Sequence, residues 1–227
     1  MLGAADADNK GYLVGLYQSL VDRSVLFDLN WESQKVVLET ASIIGPNCVI
    51  EQGVHIGMRT RISSGVRLEA GCSIGNDCFI GTNVVMRPDV HIRSDSLIGH
   101  NTVFEGQNIV GIEVLMGACC YITRGVNIGK KTFIGPTVST ANDYSMVYLR
   151  PHLLAEADKN GWCEPPIVGV GVRIGAGVLL MPRSQIGDNA VIGAGSLVMG
   201  VVEENTVVAG RPAYQIGEVP IEDRLKF

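Results

Sequence analysis

Residues 74–104 read IGNDCFIGTNVVMRPDVHIRSDSLIGHNTVF, in which an apolar residue returns at every sixth place: Ile74, Ile80, Met86, Ile92, Ile98 and Phe104. Followed outward, the row begins with Leu38, Ile44, Ile50, Ile56, Ile62 and Leu68. It continues through Val110, Met116, Ile122, Ile128 and Ile134, with Thr140 as its first failure. A second row, displaced in phase, takes Val168, Ile174, Leu180, Ile186, Ile192 and Val198. Glycine often follows the apolar residue, as at Gly45, Gly75, Gly99, Gly135 and Gly187. The fourth place after it takes small or β-branched residues such as Val54, Thr60, Val84 and Val126, and also Cys48, Cys72, Cys78 and Cys120.

A period of six is neither the 3.6 of a helix nor the 2 of a simple strand, so each unit must be a short strand followed by a turn. Three units close one triangular coil. Stacked coils let every strand pair in parallel with its neighbours at about 4.8 Å, and the apolar rows become a continuous spine. The composition suits a narrow aliphatic interior with many tight corners, since only 6% of residues are aromatic while Gly reaches 28 copies. Four of the six cysteines fall at core positions, which favours reduced thiols over bridges or metal ligands.

The formal charge of −5 and the lack of a Lys/Arg tract argue against nucleic-acid or anionic-membrane partners. The opening residues contain acids and no long apolar run, so neither a signal peptide nor a membrane span is expected, and the expected location is cytoplasmic. Tyr12, Leu13, Leu16, Tyr17, Leu20 and Val21 recur at helical spacing behind Asn9, which predicts an amphipathic helix capping the open end of the spine. Residues 141–167 break the period and end in Pro165–Pro166, as a long inserted loop would. The expected organisation is an N-terminal cap over 1–37, a β-helix over 38–213 of about eight coils with the inserted loop 141–167, and a tail over 214–227.

These features resemble the hexapeptide-repeat superfamily, whose signature is an aliphatic residue, Gly, two variable residues, a small residue and another variable one. The resemblance covers residues 38–213, and it implies a left-handed coil and assembly as a homotrimer. The superfamily includes acyltransferases and γ-type carbonic anhydrases, so the fold alone does not choose a function. Val207-Val208-Ala209-Gly210-Arg211-Pro212-Ala213 looks like the tail that follows the last coil in acetyltransferases, and carbonic anhydrases of this fold carry a similar one. A carbonic anhydrase needs three converging histidines. His55 and His91 share an outward column but stand two coils apart, roughly 9–10 Å, too far to share a metal at about 2 Å. No metal is expected.

The stretch Phe133-Ile134-Gly135-Pro136 with Thr140-Ala141-Asn142-Asp143-Tyr144, and the later Pro166-Ile167-Val168, resembles acetyl-CoA-dependent N-acetyltransferases acting on nucleotide-linked amino sugars. It departs from them at Gly117-Ala118-Cys119, where that group has a polar stretch, and in the delay of basic residues to Arg150. The resemblance lays the cofactor's pantetheine arm along the coils after the loop, where Gly175, Ala176, Gly177, Gly193, Ala194 and Gly195 would let it approach the backbone. Arg183 and Arg211 are candidates for its phosphates, against the plain reading of solvated surface charge.

Transfer from a thioester needs a nucleophile, a proton acceptor and donors for the oxyanion. His152, in the inserted loop, is the best base available, against the reading of an ordinary loop histidine. Asn142 and Asp143 would orient the acceptor or merely turn the chain out of the coil. Glu69, Arg87 and Glu105 fall outward on successive coils as an opposite-charge ladder. Glu105, Tyr121 and Tyr144 are kept as substrate contacts. The expected activity is acetyl transfer from acetyl-CoA to the amino group of a sugar, with a sugar O-acetyltransferase, a γ-carbonic-anhydrase-like protein and a non-catalytic scaffold as alternatives.

Overall fold

Three flat faces, each a stack of two-residue strands, wind around one apolar spine. The computed structural model describes the backbone of residues 26–27 and the whole of 37–144 and 163–226. The first face runs from Leu26–Phe27 through Val103–Phe104 and Tyr121–Ile122 to Leu197–Val198. The second runs from Val37–Leu38 to Val201–Val202, and the third from Ile43–Ile44 to Thr206–Gly210. Each face holds nine parallel strands, and a tenth, Ala213–Glu218, returns antiparallel on the third. The chain is thus a left-handed parallel β-helix of about nine turns. The expected eight is one too few because pairing already begins at Leu26–Phe27, which binds Val49–Ile50 ahead of the first rung at Leu38.

In each two-residue strand from Val37–Leu38 to Val201–Val202 the second residue points inward and is buried, and the first points out, as period-two pleating requires. Ile50, Ile80, Ile98 and Phe104 are each 0% exposed. The fourth-place residues fill the corners of the triangle, and Cys48, Cys72, Cys78 and Cys120 are all buried there as free thiols. Burial pushes the Cys72 thiol up to about 11, and the other three are raised for the same reason. Among the described residues no buried side-chain nitrogen or oxygen lacks a hydrogen-bond partner.

Thr140 does not end the first row. It is buried at 6% exposure, and its hydroxyl lies 2.7 Å from that of buried Thr123 and accepts the Thr123 amide at 2.8 Å, so a polar rung is satisfied inside the spine. The true break follows. Ser139 and Ile167 begin consecutive strands although 28 residues separate them, and 28 is not a multiple of six, which is why the second row is out of phase with the first. At the C-terminal end, buried Val219 donates its amide to Asn205, and Asn189 clasps both backbone polar groups of Leu225. The expected tail is therefore tied down against the last coils. The expected N-terminal helix, with Asn9 and Tyr12 to Val21, lies outside the described residues, as does the loop interior over 145–162. No helix among the described residues is long and apolar enough to cross a membrane.

Candidate functional site

The edge joining the third face to the first is built from one corner per coil. Thr137 donates its amide to Ala118, Gly177 to Pro136 and Gly195 to Ala176, so these corners stack in register. Its glycines divide into two kinds. A Cβ on Gly175 would lie 2.5 Å from the Ala194 nitrogen, and one on Gly193 would lie 2.9 Å from the Ala209 Cβ, so both are demanded by the next coil's approach. Gly177 and Gly195 instead sit at φ +67° and +70°, and a Cβ on Gly195 would meet nothing within 4 Å. Together with Ala176 and Ala194 they leave this edge a bare backbone groove. Arg211 closes it, donating from Nη1 to the Gly195 carbonyl at 3.2 Å. All the proposed cofactor residues except Arg183 thus share one edge.

The sequence reading missed Thr137 on the same edge. Its φ is +58°, a left-handed conformation that a β-branched side chain adopts at a cost of about 1–3 kcal/mol. The signal was available, because among the described residues no other corner at positive φ takes a β-branched residue, and many take Asn, Asp or Gly, as at Asn83, Asp95 and Gly65.

On the opposite edge of the first face the chain leaves the coil after Ala141 and returns at Cys163. Asp143 and Cys163 form an isolated antiparallel bridge. Asn142 spends its side-chain amide on the Arg124 carbonyl at 3.2 Å and the Cys163 sulfur at 3.2 Å, and its carbonyl accepts the Glu164 amide at 2.7 Å. Its turning role is therefore real: it stitches the two limbs of the loop together.

Arg183 belongs to this mouth and not to the glycine edge. Its amide donates to the Glu164 carbonyl, its guanidinium pairs with the Glu164 carboxylate, and it lies 4.4 Å from the centroid of the exposed Tyr144 ring. The guanidinium holds the Glu164 carboxyl below its usual range. A side chain so engaged, one edge away from Arg211, is a clamp on the loop limbs. The structure thus sets Arg183 apart from Arg211, with its guanidinium engaged by Glu164 and Tyr144. His152 lies outside the described residues.

Between the two edges Tyr121, Ser139 and Leu179 stand on successive rungs of the first face. The Tyr121 hydroxyl donates to Glu105, and that bond, with partial burial, pushes the phenol up to about 12. The expected ladder of Glu69, Arg87 and Glu105 is not the pairing formed. Arg67 pairs with Glu51 at 2.5 Å and with Glu69 at 2.9 Å, and Glu105 takes Tyr121 instead. Arg67 reaches Glu69 because residues two apart in a strand project on the same side.

The three described histidines keep to the surface positions read from the sequence. His55 and His91 flank Ser73 on consecutive rungs of the second face, and His100 accepts the Thr82 amide at Nδ1 from a corner. No three His, Cys, Asp or Glu side chains converge among the described residues.

Comparisons with known proteins bear on the same coils. The family model described as bacterial transferase hexapeptide (six repeats) matches residues 71–106 and 165–200, and a second, the hexapeptide repeat of succinyl-transferase, matches 35–70. The chain is 33% identical over 116 residues to serine acetyltransferase of Escherichia coli strain K12, covering 50% of this chain and 42% of that protein. It is 37% identical over 101 residues to galactoside O-acetyltransferase of the same strain, covering 44% and 47%. It therefore spans less than half the length of these curated relatives. Among solved structures, the polysialic acid O-acetyltransferase OatWY superposes with a TM-score of 0.53 at 21% identity, over 82% of this chain and 92% of that one, a likeness of fold.

Proposed function

Since the chain belongs to the hexapeptide-repeat superfamily of left-handed β-helices, we propose that it is an acyl-CoA-dependent acyltransferase, moving an acetyl group onto a small polar acceptor. One observation carries this reading. A bare groove ending in a guanidinium and a stitched loop mouth lie on the two edges of one face, bracketing the strand Leu179–Leu180 within a single coil. Gly177 and Arg183 are six residues apart, under about 20 Å even if fully extended. An extended thioester on the glycine edge therefore reaches toward an acceptor held at the mouth.

In this reading Gly177 and Gly195 let the pantetheine arm lie against backbone, and Arg211 meets the phosphates. Glu105, Tyr121 and Tyr144 contact the acceptor, while Asn142, Asp143 and Arg183 shape its cleft. The acceptor nitrogen attacks the thioester carbon, the C–S bond breaks, and the thiolate leaves. His152 is the proposed proton acceptor, which an amine needs less than an alcohol does.

The proposed acceptor is the amino group of a sugar, probed first with nucleotide-linked amino sugars. A second reading, O-acetylation, is favoured by the similarity to galactoside O-acetyltransferase. Thiol release from acetyl-CoA, followed with matched amino and hydroxyl sugars, decides between them. Turnover only with the amine, surviving His152→Ala, supports N-transfer. Turnover with the hydroxyl sugar and strict dependence on His152 supports O-transfer. Absence of thiol release with every acceptor, and of any melting shift with acetyl-CoA, overturns the enzyme reading.

The proposed assembly is a homotrimer. Its support is an outward column on the third face, half-buried Phe79 followed by exposed Leu97, Leu115 and Phe133, paired rung to rung. Sedimentation at micromolar concentration tests it, with a monomer as the contrary result.

A further inference from the structure

We propose that a groove on the second face, built from coils well before the loop, is a binding site for a small oxyanion, the phosphate or carboxylate group of a metabolite. The groove encloses about 410 Å³ and is lined by His55, Ser73, His91, Arg93 and Ser94. It shares no residue with the glycine edge or the loop mouth, and it needs no assumption about acyl transfer.

The strand geometry gathers its donors. His91 and Ser73 are register partners on neighbouring rungs, and the Ser73 hydroxyl lies 2.7 Å from His91 Nδ1. Arg93 follows His91 by two residues, so both side chains project from the same side of the strand, about 7 Å apart at the backbone. Ser94 accepts the Asn76 amide at 3.0 Å, which leaves its hydroxyl proton free to donate. With Nδ1–H of His91 donating to Ser73, the Ser73 hydroxyl proton also turns outward. A guanidinium and two hydroxyls then face one volume, with the imidazole orienting one of the hydroxyls, and a negatively charged oxygen cluster is the ligand that such a donor set recognises.

The local charges agree. Glu39 is bonded to His55 Nε2 at 3.1 Å, and Asp77 is held by Arg59 at 2.6 Å. Asp95 sits at the corner beyond Ser94, at φ +61°. Arg93 is exposed and has no carboxylate partner among the described residues, unlike Arg59, Arg67 and Arg183. An uncommitted guanidinium beside a hydrogen-bonded Ser–His pair sets this groove apart from the charged corners next to it, where Asp77 and Asp95 both act on Arg59.

The test uses the full chain and follows the imidazole proton resonances while inorganic phosphate or sodium acetate is added at constant ionic strength. The chain has four histidines, and His100, on another edge, is the internal control. The expected result is a saturable shift of the His91 signals with a Kd of about 1 mM, with His100 unmoved. Arg93→Gln, at an exposed position, should leave the melting temperature unchanged and weaken binding about tenfold, and Arg93→Lys should restore part of it. Saturation by phosphate alone identifies a phosphate group, and saturation by acetate a carboxylate. A shift that stays linear in concentration, or an affinity that Arg93→Gln leaves intact, overturns the proposal. A shift of His100 in step with His91 also overturns it, because the change would then not belong to this groove.

Discussion

The coils from Val37 to Ile134 and those from Ser139 to Gly210 have the same cross-section but are built under different rules. In the first group each strand starts six residues after the last, without exception. In the second, one interval swells to 28 residues and another, from Leu197 to Val201, shrinks to four. The regular coils commit most of their side chains to burial and to rung-on-rung pairing, and the groove at Arg93 is their exception. The irregular coils carry the bare glycine edge, a strained Thr137, and a loop mouth stitched by Asn142 and clamped by Arg183. A continuous parallel ladder tolerates extra residues only at a corner, where no strand pairing is lost, and a corner is where a cleft opens.

Core truncation probes this contrast most strongly. Phe104→Ala empties a site that is 0% exposed in the regular stack, and the expected loss is about 3–5 kcal/mol by urea denaturation. A loss below about 1 kcal/mol would mean that the spine repacks around the void.

Two glycines, one crowded and one open, should then separate. A Cβ on Gly99 would stand 2.4 Å from the Gly117 carbonyl carbon, which is backbone and cannot turn away, so Gly99→Ala should destabilise by several kcal/mol. Gly195→Ala meets open space, and its left-handed φ costs only about 1–2 kcal/mol. Its larger effect should be a raised KM for acetyl-CoA, from the methyl group standing in the groove. Equal melting losses for the two variants would erase the distinction drawn between them.

A smaller effect is expected from Arg211→Ala. It should raise the KM for acetyl-CoA about tenfold, near 1.4 kcal/mol, and leave kcat unchanged, whereas Arg183→Gln should act on the acceptor's KM. Swapped phenotypes would put the phosphates at the loop mouth.

The smallest effect is on the pH dependence of the regular coils. The Cys72 thiol titrates near 11 in the folded chain against about 9 when unfolded, so the native state holds its proton more tightly. Its contribution is intact below pH 9 and is lost as pH rises from 9 toward 11. Melting temperatures across that window should fall less for Cys72→Val than for the native chain. Identical slopes would assign the alkaline loss to other groups.

Much of this architecture was legible from one period. The inward rows, the cysteines at corners and the column of His55 and His91 follow from counting by six, because a two-residue strand leaves no freedom over which side faces in. Thr140 was misread because hydrophobicity marks a rung only while rungs are apolar, and a pair of threonine hydroxyls satisfies itself just as well. Counting by six already sets Arg183 one edge on from Gly177, but it could not give the neighbours of that guanidinium, because Tyr144 and Glu164 stand on opposite sides of the inserted residues. Thr137 was overlooked because its conformation, and not its chemistry, is unusual.

What the amino-acid order determined alone was a repeating backbone: six residues to a side, three sides to a turn, and an aliphatic axis whose burial drives the winding. What only the folded chain decided was adjacency between turns, namely that Glu105 meets Tyr121, that Arg67 takes both acids beside it, and that Arg183 clamps a loop while Arg211 closes a groove. Burial is a property of each position and is written locally. Pairing among outward side chains depends on which partner each one reaches first, and several compete at similar distance on every rung.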